Sequence, residues 1–201
     1  MARDLREWMD EAEANDSLER VDEEVHWDEE MGAISYCANK EIGAPALLFE
    51  NITGHEEGFR ALWNLFGSST TRLALTIGED PDCDISELIS LGREKFGRRI
   101  EPDYVSGGPV YENSDYGEDV DLFRFPAPRT WPRDGGRYIG TACAVITENP
   151  ETGAINVGTY RGMIQSENAA SINAVRGKDM RAHLETKWEQ GEPLDVAVAY
   201  G

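Results

Sequence analysis

Apolar positions recur along the chain with two different periods, and the switches between them outline the elements. In "RDLREWMDEAEAND", Leu5, Trp8, Met9 and Ala12 fall at helical spacing with acids between them, which predicts an amphipathic helix. "SLERVDEEV" alternates and predicts a strand, and residues 28–42 return to the helical period, with Asp28 as a cap and Gly43 and Pro45 as the stop. "ALLFENI" is an unbroken apolar run, the pattern of a buried strand. "FRALWNLFG" predicts another strand, "STTRLALTIG" a short helix opening on Ser or Thr, and residues 85–97 a further helix. Residues 1–100 therefore form a compact N-terminal α/β domain.

From 101 to 137 the texture changes to Pro, Gly and Asp, a segment crossing between two domains. Beyond it, "YIGTACAVITENPETGAINVGTYRGMIQ" predicts two strands around a turn made by "NPETG". A helix follows from about Lys178 to Gln190, and "LDVAVAYG" starts a last strand. That strand needs neighbours on its sheet, so residues 138–201 read as the first part of a domain completed by further chain or by another subunit.

The chain has 201 residues, and 19 basic against 39 acidic side chains give a formal charge of −20. Such a surface repels nucleic acid and anionic membranes, and suits either high salt or an ordinary acidic protein. The N-terminus is too charged for a signal peptide and no apolar run reaches membrane-spanning length, so a cytoplasmic protein is expected, with no membrane insertion. Cys37, Cys83 and Cys143 are an odd number without a CxxC pair, and buried free thiols are the expectation.

Candidate chemistry concentrates in "NPETGAINVGTYRG", where Asn156 and Arg161 stand five residues apart in a strand. A buried arginine needs an anionic partner and a buried amide needs its hydrogen bonds. In a regular strand those two positions point to opposite faces, so a shared site requires an irregularity between Val157 and Tyr160, with Gly158 permitting it. Without one, Asn156 closes the hairpin and Arg161 makes a surface ion pair. His26 and His55 have no partner at ligand spacing and read as structural or exposed, His183 as a solvated helix residue, and the acidic run 22–30 as a solvated face.

The segment "WPRDGGRYIGTACAVITENPETGAINVGTYRGMI" resembles the cofactor-binding region of the UbiD-like decarboxylases. "DLREWMDEAEANDSLERVDEEV", "APALLFENITG" and "NLFGS" follow that family's order and spacing. The resemblance covers essentially the whole chain and implies an α+β protein, its N-terminal α/β domain followed by an incomplete split β-barrel of the flavin-reductase-like kind. It implies reversible decarboxylation of aromatic or α,β-unsaturated carboxylic acids with prenylated FMN and Mn2+ or Mg2+, and leaves room for K+.

The family's catalytic arginine falls on Arg161 and its metal-ligating asparagine on Asn156. Thr141, Asn156, Gly158, Thr159, Tyr160, Arg161 and Lys178 fall on cofactor-binding positions. Ungapped alignment puts the second metal ligand, commonly histidine, on Asp179, with His183 as the alternative. The family's third ligand and catalytic glutamates lie beyond the position of Gly201. The expectation is thus the N-terminal portion of a carboxy-lyase, inactive alone, working as a homo-oligomer or with a complementing chain. The alternative is a non-catalytic binding or assembly subunit that pairs with a full-length decarboxylase. An unrelated flavin-binding split-barrel oxidoreductase would leave the N-terminal likeness accidental.

Overall fold

The computed structural model describes residues 2, 4–98, 100 and 103–200. Helix α1 (Leu5–Ala14) starts where the Asp4 carboxylate accepts the amides of Arg6 and Glu7 at 2.9 and 3.0 Å. Strand β1 (Leu18–Val21) runs parallel to β2 (Ala46–Phe49), which pairs antiparallel with β3 (Ala61–Trp63). β2 is the middle strand and is buried on both faces, which is why its sequence does not alternate. Ala46 and Leu48 pack against Trp8, Met9 and Ala12 of α1 and Leu75 of α3 (Thr70–Ile77). Leu47 and Phe49 pack on the opposite side with Val25, Ile52 and Met31 of α2 (Glu30–Ala38). The sheet is thus sandwiched between helices, and α4 (Ile85–Phe96), capped by Asp84, packs outside α3.

Arg72 of α3 is fully buried. It takes no carboxylate among the described residues: its guanidinium donates to the carbonyls of Leu65, Ser17, Ala44 and Phe66 at 2.7–3.3 Å. α2 is shorter than its sequence pattern, and Asp28 does not cap it. Asp28 instead binds Arg129 through both oxygens, which Arg129 combines with a 2.7 Å contact to Glu29. Those hydrogen bonds hold the Asp28 carboxyl below its ordinary pKa. The 22–30 run is therefore no purely solvated face: it buries Val25 and anchors residues 122–137.

Further ties come from Arg137, whose guanidinium lies over the Trp27 ring at 4.4 Å and donates to the carbonyls of Ala127 and Phe125. His55 shares this seam, with Nδ1 donating to the Arg124 carbonyl (3.1 Å) and Nε2 accepting from Arg137 (3.2 Å). Burial, ahead of the Arg137 charge, pushes the His55 pKa below its usual value and keeps the ring neutral.

The second half is built on β4 (Cys143–Glu148), flanked by β5 (Ile155–Gly158) and by β8 (Ala197–Tyr200), both antiparallel to it. The β4–β5 loop forms as its sequence predicts. The Asn149 side chain accepts the amides of Glu151 and Thr152, and Gly153 takes φ +71°, which a glycine adopts without strain. β6 (Gly162–Ser166) and β7 (Ala169–Ile172) make a separate hairpin, joined to the rest at the Gly140–Gly162 bridge. Helix α5 (Asp179–Glu189) covers one face of the three-stranded sheet through Met180 and His183. The whole is α+β with small sheets, and its described strands do not close into a barrel. Among the described residues no helix is long and apolar enough to cross a membrane. Of the three free thiols only Cys143 is buried, and Cys37 is exposed, contrary to expectation.

Candidate functional site

The backbone changes sheets between β5 and β6. Residues 159–161 belong to neither ladder, so the irregularity required for a shared site lies one residue further on than the sequence predicts. Gly158 is a regular strand residue without positive φ. Its lack of a side chain has another cause: a Cβ there would come within 2.6 Å of the Tyr160 ring. That ring folds back over the strand, and its hydroxyl accepts the Met180 amide at 3.3 Å, satisfying one of the open N–H groups at the start of α5. The Tyr160 carbonyl lies 3.5 Å from the buried Cys143 Sγ.

The break, the start of α5 and the residues after β7 enclose a cleft of about 400 Å3. That volume falls in the range of small-molecule sites, about 300–1,000 Å3. Asn156, Gly158, Thr159, Tyr160, Arg161, Lys178 and Asp179 all line it, together with Val157, Asn173 and Val175. Asn156 and Arg161 thus share one cavity. Arg161 is exposed, its carbonyl accepts the Asn173 amide at 2.9 Å, and its guanidinium makes no ion pair or hydrogen bond among the described residues. The surface ion pair is not formed. Thr141 lies outside the lining, exposed in the bend before β4.

Behind the cleft, Asn156 Nδ2 donates to Thr147 Oγ1 at 3.2 Å, directly across the β4–β5 ladder. Thr147 Oγ1 lies 3.0 Å from Nδ1 of His183. His183 is 5% exposed and faces the sheet, which overturns its reading as a solvated residue. The signal was present: Met180 and His183 are three apart, on one helical face. Asn173 and Val175 have no comparable signature, since their place depends on how the β6–β7 hairpin folds back.

The donor set suits an anionic ligand with a hard cation. Arg161 and Lys178 supply positive charge in a strongly acidic chain, and the Asn156 amide oxygen and Asp179 carboxylate supply oxygen donors. Among the described residues no three His, Cys, Asp or Glu side chains cluster as a metal site, so further donors would have to come from a ligand or from other residues. A larger cleft, about 680 Å3, lies in the first half, but Asp22, Glu50, Glu56 and Glu57 line it and His55 is committed on both ring nitrogens.

An α+β chain with an oxygen-donor and guanidinium cleft where two sheets meet is the class that fold and site define. Residues 9–91 match the model of the 3-octaprenyl-4-hydroxybenzoate carboxy-lyase N-terminal domain, and residues 103–201 that of the 3-octaprenyl-4-hydroxybenzoate carboxy-lyase Rift-related domain. The chain belongs to the UbiD family.

It is 33% identical over 210 residues to a phenolic acid decarboxylase of Streptomyces sp. (strain D7), covering 98% of this chain and 42% of that protein. The closed form of vanillic acid decarboxylase from Sedimentibacter hydroxybenzoicus superposes with a TM-score of 0.90 at 30% identity, covering 100% of this chain and 43% of that one. An evolved dimeric form of the UbiD-class enzyme HmfF from Pelotomaculum thermopropionicum, in complex with prFMN, does so at 0.84 and 25%, covering 100% and 44%. The chain spans less than half the length of these relatives.

Proposed function

We propose that this chain forms the N-terminal portion of a carboxy-lyase that removes CO2, reversibly, from an aromatic or α,β-unsaturated carboxylic acid. The observation that carries this reading is the single cleft shared by Asn156, Arg161, Lys178 and Asp179. Loss of CO2 from an sp2 carbon leaves a charge that amino-acid side chains cannot delocalise, and bound prenylated FMN supplies the electron sink. Asn156 Oδ1 and the Asp179 carboxylate would hold Mn2+ or Mg2+, and Lys178 would add positive charge for an anionic cofactor. The backbone of Gly158, Thr159 and Tyr160 would lie along the cofactor, and Thr141, beyond the cleft's rim, would touch only a ligand that extends past it. Arg161 would grip the substrate carboxylate with its planar fork. Proton delivery requires an acid outside this chain, in the remaining length of the protein or in a complementing subunit, and the split barrel would be completed there too.

The test is co-production with a flavin prenyltransferase, followed by the visible absorbance of the purified protein. Retained prenylated flavin is expected, and a chain that never retains it, even with the completing part present, overturns the reading. In the completed enzyme Arg161→Ala should abolish turnover with flavin occupancy intact.

A second reading, a non-catalytic binding or assembly subunit paired with a full-length decarboxylase, draws on one observation. The sheet face opposite α5 leaves Ile155 and Val157 58% and 63% exposed, the kind of bare surface that a partner covers. A purified chain that binds such a decarboxylase but no flavin would favour it.

A further inference from the structure

The polar chain behind Asn156 supports a further inference, which rests on the reading of Asn156 as an oxygen donor. Thr147 is 1% exposed and His183 5%, so both are shut away from water among Cys143, Val145 and Met180. A threonine hydroxyl carries one proton and two acceptor lone pairs. The Asn156 amide N–H occupies a lone pair of Thr147 Oγ1 at 3.2 Å. The hydroxyl proton then has one acceptor in reach among the described residues, His183 Nδ1 at 3.0 Å. For that proton to be accepted, Nδ1 must be the bare ring nitrogen, with the imidazole proton on Nε2.

We propose that His183 is a positioning residue: it orders the Thr147 hydroxyl, and through it holds the Asn156 amide with Oδ1, rather than Nδ2, offered to the cleft. The reversed amide would need the Thr147 proton for itself. It could form only if His183 carried a proton on Nδ1 and donated it, and Asn156 would then present N–H groups that repel a cation. A leucine at position 183 would fill the same apolar space but leave the hydroxyl proton without an acceptor and the amide free to turn. His183 on this account is no metal ligand. It decides which atom of Asn156 can be one.

The test is nitrogen NMR on the 201-residue chain, reading the His183 tautomer and the Asn156 side-chain amide, with Mn2+ in the presence of FMN as the probe of the cleft. An Nε2–H tautomer and a single, slowly turning Asn156 amide are expected. In His183→Phe the amide signals should broaden or double, and Mn2+ should weaken about 10-fold at Asn156. His183→Asn, whose side chain can accept near the Nδ1 position, should restore both. Thr147→Val should reproduce the loss without touching the histidine. An Nδ1–H tautomer in the unaltered chain overturns the proposal without any variant having to fold. Equal Mn2+ binding at Asn156 in the unaltered chain and in folded His183→Phe overturns it too, while leaving the reading of the cleft intact. Mn2+ that never reaches Asn156, with the tautomer and amide signals as expected, supports the ordering role and removes the metal reading.

Discussion

In the first half of the chain Arg72 is fully buried and its guanidinium donates to the carbonyls of Leu65, Ser17, Ala44 and Phe66. In the second half Arg161 stands exposed on a cleft wall, and its guanidinium binds nothing among the described residues. Neither has a carboxylate partner among the described residues, for opposite reasons. Arg72 meets four backbone carbonyls, three of which also accept from the Ala46 amide, the Asn64 side chain or the Ser69 amide, so backbone dipoles replace the counter-ion. Arg161 stays hydrated, available to an anion from outside. The rule that a buried arginine requires an acid fails at the first, and the expectation that an unburied one forms an ion pair fails at the second. An arginine's role follows from the groups left unsatisfied around it.

Four measurements would break or sharpen that contrast. Arg72→Met should have the largest effect, because it removes four hydrogen bonds to backbone carbonyls from a charged, fully buried donor, each worth about 1.5–3 kcal/mol. Urea unfolding should show a loss above about 3 kcal/mol, and a near-neutral result would mean that those carbonyls find water. Gly158→Ala comes next, since its methyl would meet the Tyr160 ring at 2.6 Å. A loss of about 1–3 kcal/mol is expected, with a changed near-ultraviolet signal from the displaced tyrosine.

His55 should give a smaller effect, visible as pH dependence. Its folded pKa is depressed by burial, so its contribution is fully present above the unfolded value of about 6.5 and is lost as pH falls through the lower folded value. Thermal melts between pH 7.5 and 5 should show a downward component that His55→Gln removes; persistence of that component in the variant would assign it elsewhere. Arg161→Ala should change stability least, within about 0.5 kcal/mol. A larger loss would mean that the residue is structural after all.

Much of the fold was legible because period and burial agree where one face is covered: α1, β1, β2, α3 and α5 lie close to where spacing places them. Legibility failed where a distant residue changed a local role. Asp28 has the composition of a helix cap, but its carboxylate goes to Arg129, about a hundred positions away in the chain, which no local pattern reveals. At the cleft, Asn156 and Arg161 drew attention as costly polar groups in a strand and Asp179 only through resemblance, and regular strand geometry alone argued against the shared cavity that they line. Thr147 went unnoticed because its importance comes from the cross-strand register, which exists only once β4 and β5 have paired. The reason for Gly158 was likewise hidden, because the ring that crowds it folds back only in three dimensions.

The sheet change at 159–161 has a thermal consequence. Asn156 belongs to the β4–β5 ladder, whereas Arg161 and Asn173 sit at the mouth of the β6–β7 hairpin, and among the described strands no continuous ladder joins the two. A guest lodged between them would tether both at once, so its affinity doubles as cohesion for this half of the chain. Melting of that half should then rise with the logarithm of guest concentration, while the sandwiched sheet around Arg72 keeps its own transition.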